Sequence, residues 1–377
     1  MIERVGLDAR KIGNPLFQDL SLHVSAWGRV TPAQAPTRLG TAADLDLAFL
    51  SGQLFDRRLS LKLGRHVVFG GVARARQIDG ASFGLRIVQG FGMSAYGGLP
   101  VFPRFAVGRG DAVVGGRLYY RASIDAEIGA SVLQLWDGGA TAQQLAGMDL
   151  RLVIRSLTLG ASGAWSLIDS RLAEADVAAT WQAVDSLQAS IGVRRTAPDL
   201  FLSRTSILSV FASETRDGLG GSLSWQPAPN LSLLGEYHCL RFGAQSGSEG
   251  ADLPSEGGNE ALVRASVLAL QGLTVGVQGR WLDTPSNGYV EGRIFSQWRI
   301  LARLSTALDL DAFRFRDPIN GHRNSYVASL SATWTFAPSW MATVSGLASV
   351  TPYFETRFEG VAKLVYRFST RTREVLP

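Results

Sequence analysis

Apolar and polar residues alternate one by one along most of this chain. In the stretch LARLSTALDLDAF, which starts at Leu301, some leucines are spaced for a helix, yet apolar residues also recur at every second position. Arg303, Asp309 and Asp311 occupy positions between them. Helix capping signals are scarce, and glycine and β-branched residues interrupt the helical candidates. The two-residue period therefore predicts a β-strand with one apolar and one polar face.

The same alternation recurs throughout the chain, for example in DAVVGGRLYYRA, GMDLRLVI and LTVGVQGRW. Very short links such as QGL and RI take turns with longer polar or glycine-rich links such as AQSGSEGADLPSEGGNE and DPINGHRN. Residues 196–213 are treated as one long link, and residues 78–98 form either two strands or one strand with a bulge. The pattern then predicts roughly 18–20 strands, joined by tight turns at one end and loops at the other.

Composition separates a membrane sheet from a soluble one. Hydrophobic residues make up 46% of the 377 positions and charged residues only 18%, against ~25% in typical soluble domains. No apolar run approaches the ~20 residues of a membrane helix. Dispersed apolar residues are typical of a transmembrane barrel. We predict an all-β, outer-membrane type antiparallel barrel over residues 1–377, as a single domain with a lead-in at 1–16 and a tail at 369–377.

The last predicted strand, RFEGVAKLVYRF, sets apolar residues against Arg357, Glu359, Lys363 and Arg367. It resembles the terminal strand of outer-membrane barrel proteins, although the trailing STRTREVLP departs from that pattern. The resemblance implies a bacterial, Gram-negative outer membrane, with membrane lipids and the barrel-insertion machinery as partners. The N-terminus has no apolar signal core, so we expect the signal peptide of an exported protein to be absent from this chain. A cytoplasmic protein would look the same at this end.

A second resemblance covers LKLGRHVVFGGVARARQIDGASFGLRI and the following MSAYGGLP. A strand ends in Gly64 and Arg65, a loop carries Arg74 and Arg76, and Ile78-Asp79-Gly80 opens another strand. This arrangement is similar to porins of the alginate-export kind, including barrels that release exopolysaccharide. The resemblance implies a wide, basic-lined pore for an acidic or neutral glycan.

Charged residues at alternate strand positions are candidates for a water-filled interior, because Arg or Lys facing lipid at mid-depth costs ~2–4 kcal/mol. Alternatively, they are pairs that only brace the wall. The candidates are Arg117, Arg121, Arg151, Arg264, Arg280, Arg293, Arg303, Asp309 and Asp311. Four loop arginines, Arg74, Arg76, Arg104 and Arg109, are candidates for a constriction that guides anions. Solvated loop charge is the alternative for these four.

The predicted function is a porin-like channel for hydrophilic solutes or an exported polysaccharide, through a charged, arginine-rich lumen. An outer-membrane barrel enzyme and a soluble all-β binding protein are the alternatives. His23, His66, His238 and His322 have no metal-ligand spacing, and no nucleophile motif is present, so we expect no catalytic residue, metal or cofactor. Cys239 is alone, which excludes an internal disulfide. Arginines are spread among acids, so nucleic acid is not an expected partner, whereas an anionic or polysaccharide solute is.

Overall fold

The computed structural model describes residues 2–10, 17–30, 41–87, 90–101, 111–197, 215–243, 256–285 and 287–366. They form 21 strands of one antiparallel sheet and a single 3₁₀ turn, Gly71–Ala73. The strands are β1 (Ile2–Ala9), β2 (Gln18–Val30), β3 (Thr41–Leu54), β4 (Leu59–Phe69), β5 (Ala75–Arg86), β6 (Phe91–Pro100), β7 (Ala112–Ser123), β8 (Ala126–Asp137), β9 (Ala140–Ile154), β10 (Leu157–Ser166), β11 (Arg171–Val184), β12 (Leu187–Thr196), β13 (Arg216–Ala228), β14 (Leu231–Phe242), β15 (Glu256–Leu270), β16 (Leu273–Asp283), β17 (Gly288–Leu301), β18 (Leu304–Ile319), β19 (His322–Ala337), β20 (Trp340–Thr351) and β21 (Phe354–Tyr366).

The all-β, antiparallel prediction is confirmed. The described residues form one strand more than the upper end of the predicted range, because β1 lies in the segment that the sequence assigned to a lead-in. Residues 78–98 contribute to two strands, β5 and β6. Bacterial single-chain barrels have an even number of strands, and closure of this sheet, which requires its first and last strands to pair, stays a prediction. No helix among the described residues is long and apolar enough to cross a membrane.

Contacts divide the chain into two compact units. Unit 1 comprises Met1–Ala179, Val193–Asp217 and Ala244–Leu253, and unit 2 comprises Thr180–Gly192, Gly218–Gly243 and Pro254–Pro377. In unit 1, each strand from β1 to β10 pairs with the next one along the chain. In unit 2, the same holds from β14 to β21.

A tight turn stands where the sequence predicted a longer link between two strands. The link predicted around DPINGHRN shrinks to Asn320 and Gly321, with φ of 48° and 81°. Two successive positive φ values belong to the tight hairpin turn that Asn-Gly favours. The prediction of a longer link there is wrong, since β18 and β19 extend almost to the turn. Likewise, β15 begins at Glu256, inside the stretch assigned to a long link.

Each unit has one strongly apolar sheet face. In unit 1 the exposed side chains on this face include Leu118 (62%) and Met148 (62%), and in unit 2 they include Val263 (66%) and Leu330 (58%). Trp residues lie near the strand ends on the same faces, including Trp281 in β16 and Trp334 in β19. Because side chains alternate along a strand, the opposite face carries the intervening polar residues. We call the two sides of each unit its apolar face and its polar face.

Candidate functional site

In unit 1, the link between β4 and β5 folds across the polar face. The 3₁₀ turn Gly71–Ala73 contacts β8, β9 and β10, and Val72 and Ala73 are buried there. The Val72 backbone N–H donates a hydrogen bond to Ser131 Oγ at 3.0 Å. We call Gly70–Arg74 the crossing segment. Apolar burial and a backbone hydrogen bond both attach it to the wall.

Glycine is needed where the crossing segment approaches β8. Gly71 has φ of +53°, and a Cβ atom at this position would overlap the Ser131 side chain. Glycine accepts both the positive φ and the close approach without strain. The sequence GGVARAR therefore supplies a backbone that can lie flat against the strand.

Beneath the crossing segment lies a small apolar core on the otherwise polar face. Its members come from the strand ends nearest the segment, and Tyr96 and Ala142 pack against it. The buried members are Val68, Val72, Ala73, Ile78, Val113, Leu133, Leu135, Leu145, Ala164, Ala173 and Ala197. Packing of this kind holds the segment in one position, since it has a fixed set of apolar contacts on the wall.

A polar cleft of about 760 Å³ opens beside the crossing segment. Its lining consists of glycines, four other uncharged residues and seven charged side chains, all from unit 1. The charged residues are Arg74, Arg117, Glu127, Asp149, Glu174, Asp176 and Arg194. Guanidinium groups and carboxylates thus share one water-accessible space.

Arg117 is the central cation of this cleft. Its Nε donates to Asp149 Oδ2 at 3.0 Å and its Nη2 donates to Glu127 Oε1 at 2.7 Å. Arg121 donates to the other oxygen of Glu127 at 2.8 Å. Gly129 leaves room for the guanidinium, because a Cβ atom there would lie 2.6 Å from Arg117 Nε. Each carboxylate is therefore held by a charge-assisted hydrogen bond.

Two further ion pairs line the same cleft. Arg74 pairs with Glu174, and Arg194 Nε lies 2.5 Å from Asp176 Oδ2. Burial lowers the pKa of the Arg74 guanidinium, and the nearby charge of Arg194 acts in the same direction. Because Glu174 belongs to β11, its ion pair with Arg74 joins the crossing segment to that strand.

Unit 2 has its own row of charges on the polar face. Arg280 Nη2 lies 2.5 Å from Glu260 Oε1. Arg293 Nε donates to Asp309 Oδ1 at 2.8 Å and lies 3.6 Å from Asp311 Oδ1. Arg264 Nε donates to the Gln278 amide oxygen at 2.9 Å. Opposite charges on neighbouring strands brace this wall.

The structure places most of the predicted wall residues on the polar faces. Arg117, Arg121 and Arg151 lie there in unit 1, and Arg264, Arg280, Arg293, Asp309 and Asp311 lie there in unit 2. Arg303 does not belong to a strand wall, because β18 begins at Leu304 and Arg303 lies in the preceding turn. Its assignment to the pore lining stays a prediction.

Two of the four predicted loop arginines lie within the described residues, and these two belong to different elements. Arg74 ends the crossing segment, whereas Arg76 lies in β5 and donates to Gln143 Oε1 at 2.8 Å. Arg104 and Arg109 lie outside the described residues. The two arginines that the structure describes are thus held by wall residues and do not extend freely into solvent.

Glu127, Ser131 and Glu260 are functional candidates that sequence reasoning missed. Glu127 could have been found by counting from the β7–β8 turn, since it is the register partner of Arg121. Glu260 was assigned to a link, and it belongs to β15. Ser131 has no local signal, because its partner Val72 lies 59 positions away.

The Gly64–Arg65 and Ile78–Asp79–Gly80 motifs meet in one hairpin. Arg65 faces Asp79 in the β4–β5 register, and its Nε and Nη2 donate to the two carboxylate oxygens at 2.6 Å each. A bidentate pair of this kind fixes geometry as well as charge. The motif therefore braces the two strands that carry the crossing segment.

Neither a protein-family model nor a curated protein matches this sequence. Solved structures to which it is similar include outer-membrane proteins and a porin. A loop-deletion mutant of OmpT, an outer membrane protein of Vibrio cholerae, is 11% identical, with 73% of this chain and 96% of that chain covered and a TM-score of 0.40. The outer membrane channel DcaP of Acinetobacter baumannii is 10% identical, with 69% and 86% covered and a TM-score of 0.41. A mutant of the Rh. blastica porin is 15% identical, with 74% and 100% covered and a TM-score of 0.37.

Proposed function

We propose that this protein is a porin-like channel of the bacterial outer membrane. The observation that carries the proposal is the contrast between the two sheet faces. Large apolar side chains are exposed on one face in both units, whereas the other face holds networks of paired charges. An apolar surface of this extent needs lipid to cover it. The polar face then borders water.

In this proposal, the crossing segment narrows the water-filled path. It covers part of the wall of unit 1 beside the charged cleft, so passing ions and solutes meet Arg74, Arg117 and the carboxylates around them. Charged side chains at a constriction set ion preference. Membrane lipids and the barrel-insertion machinery are the partners that this location implies.

We further propose that the solute of this channel is a polysaccharide. This proposal is supported by the sequence resemblance around Gly64–Arg65 and Ile78–Asp79–Gly80, while the paired guanidinium groups of Arg117 in unit 1 and Arg293 in unit 2 would line the path. Transport without catalysis remains our proposal for the activity.

The assignment of the faces is tested by two arginine substitutions at neighbouring positions of β19. Leu330 is on the apolar face and Ser329 is on the polar face. We expect Leu330→Arg to lower the free energy of unfolding by ~2–4 kcal/mol in lipid vesicles. Ser329→Arg should change it by less than about 0.5 kcal/mol, as for ordinary surface substitutions. Equal effects in a urea titration would contradict a lipid-facing Leu330.

Ion preference is tested at the Arg74–Glu174 pair. Arg74→Gln leaves the Glu174 carboxylate without this cation, so we expect the cation-to-anion permeability ratio to rise by about twofold. Glu174→Gln should shift the ratio in the opposite direction. The reversal potential across a salt gradient measures both shifts. Arg57→Gln is the control, because the Arg57–Asp19 pair is exposed and lies away from the cleft. The same ratio in all three variants would refute the proposed constriction.

A further inference from the structure

Four aromatic side chains of unit 2 lie on its polar face. Tyr289 and Phe295 share the face of β17 that carries Arg293, and Phe313 and Phe315 are on the corresponding face of β18. We call these four residues the aromatic track. All four are partly exposed. Apolar ring surface in contact with water is unfavourable, so a ligand that covers these rings gains free energy.

The rings form two groups along β17. Tyr289 meets Phe313 at a centroid distance of 5.8 Å and Phe315 at 6.3 Å, both in edge-to-face geometry. Phe295 lies six residues further along, which corresponds to ~20 Å of strand. It occupies the space over Gly276, where a Cβ atom would overlap its ring. A ligand that touches both groups must therefore be elongated.

Hydrogen-bonding groups accompany each group of rings. The Arg280 guanidinium lies 5.9 Å from the Tyr289 ring centroid, and Arg293 and Arg264 lie 5.3 Å and 5.8 Å from that of Phe295. Carboxylates are close by, since Glu260 binds Arg280 and Asp309 binds Arg293. Both donors and acceptors thus border the apolar ring surfaces.

The charges around the rings indicate which kind of elongated ligand fits. Three arginines border the rings: Arg264, Arg280 and Arg293. Four carboxylates lie on the same face, those of Glu260, Glu291, Asp309 and Asp311. With Arg299 of the same β17 face counted, positive and negative charges are balanced, so a polyanion would meet no net positive surface here. A neutral chain with hydroxyl groups at its edges can both donate to carboxylates and accept from guanidinium groups.

We propose that the aromatic track binds a neutral linear oligosaccharide of pyranose units. The apolar faces of successive sugar rings stack on the aromatic rings, and the equatorial hydroxyl groups bond to the bordering arginines and carboxylates. This proposal rests on the channel function, and it names the class of solute that the polar face of unit 2 recognises.

The test uses ion current through the protein in a planar bilayer, with maltohexaose as the neutral probe. We expect maltohexaose to interrupt the current, and we expect Phe295→Leu and Tyr289→Leu each to shorten the mean interruption about tenfold, as when ~1.4 kcal/mol of binding is lost. Leucine keeps apolar bulk at both positions, so a purely structural role would survive the change. Phe336→Leu, on the apolar face of β19, should leave the interruptions unchanged.

Several results would overturn the proposal. They are an ion current that maltohexaose does not interrupt, interruptions of equal length in the leucine variants, or longer interruptions by hexagalacturonate, an acidic probe of the same length. Absence of any current would instead contradict the channel function. In that case, calorimetry of maltohexaose with the detergent-solubilised protein and its Phe295→Leu variant decides whether the track binds sugar.

Discussion

Val72→Asp is expected to raise the single-channel conductance about twofold or more, because it releases the constriction from the wall. Val72 is only 6% exposed and belongs to the apolar core under the crossing segment. A carboxylate at this position would lose its hydration in the apolar core, at a cost of several kcal/mol. That cost exceeds the ~1.5–3 kcal/mol gained by burying a valine side chain. Planar-bilayer recordings at fixed salt concentration measure the change.

Val72→Ala is the matched control for this prediction. It removes two methyl groups without adding charge, and it leaves the backbone bond to Ser131 available. The segment should stay docked, with nearly unchanged conductance. If Val72→Asp conducts like the original protein while its heat-dependent gel mobility shows that it is folded, the crossing segment does not narrow the path.

Arg117→Met is expected to lower the free energy of unfolding by about 2–3 kcal/mol. Loss of one partner from a buried ion pair costs ~3–5 kcal/mol, and we discount this because water reaches the network, where Arg117, Glu127 and Asp149 are 16%, 21% and 24% exposed. Glu127 keeps Arg121, whereas the Asp149 carboxylate loses the guanidinium that binds both of its oxygens. A urea titration in lipid vesicles measures the loss.

Neutralising Arg117, Glu127 and Asp149 together distinguishes how much stability their charges contribute from how much their packing contributes. In the triple variant Arg117→Met, Glu127→Gln and Asp149→Asn, no uncompensated carboxylate remains, so most of the lost stability should return. If the triple variant is as unstable as Arg117→Met alone, the guanidinium acts mainly through its contacts with neighbouring side chains, such as the Tyr119 ring at 5.1 Å.

The fold class was predictable because the two-residue period repeats in every part of the chain. Leu308 and Asp309 illustrate this, since β18 places them on opposite faces. Strand ends were harder to predict. Arg303 and Ser305 both fit the two-residue period, yet Arg303 lies in a turn. The alternation of polar and apolar residues does not mark where pairing with the next strand begins, so it could not exclude Arg303 from the strand. The eight residues of β1 have too few alternations to stand out from a lead-in.

The candidate site was predictable only where partners lie in adjacent hairpin strands. Arg293 and Asp311 face each other across the β17–β18 turn, so counting from that turn finds the pair. The crossing segment leaves the sheet ladder and meets β8, β9 and β10, which are not its neighbours in sequence. No local pattern around Gly71 specifies Ser131 as its contact. The position of Arg74 beside Glu174 depends on the same long-range docking.

The crossing segment also has a consequence for the order of assembly. Its hydrogen bond to β8 joins residues 59 positions apart, whereas the hairpins that build the wall close over much shorter loops. Loop closure costs more conformational entropy as the loop lengthens, and contacts distant in sequence form late in folding. Hairpins β7–β8 and β8–β9 must exist before Ser131 and the apolar core can receive Val72. Docking of the crossing segment therefore follows formation of these hairpins, so the proposed constriction takes shape only after the stretch of wall that receives it.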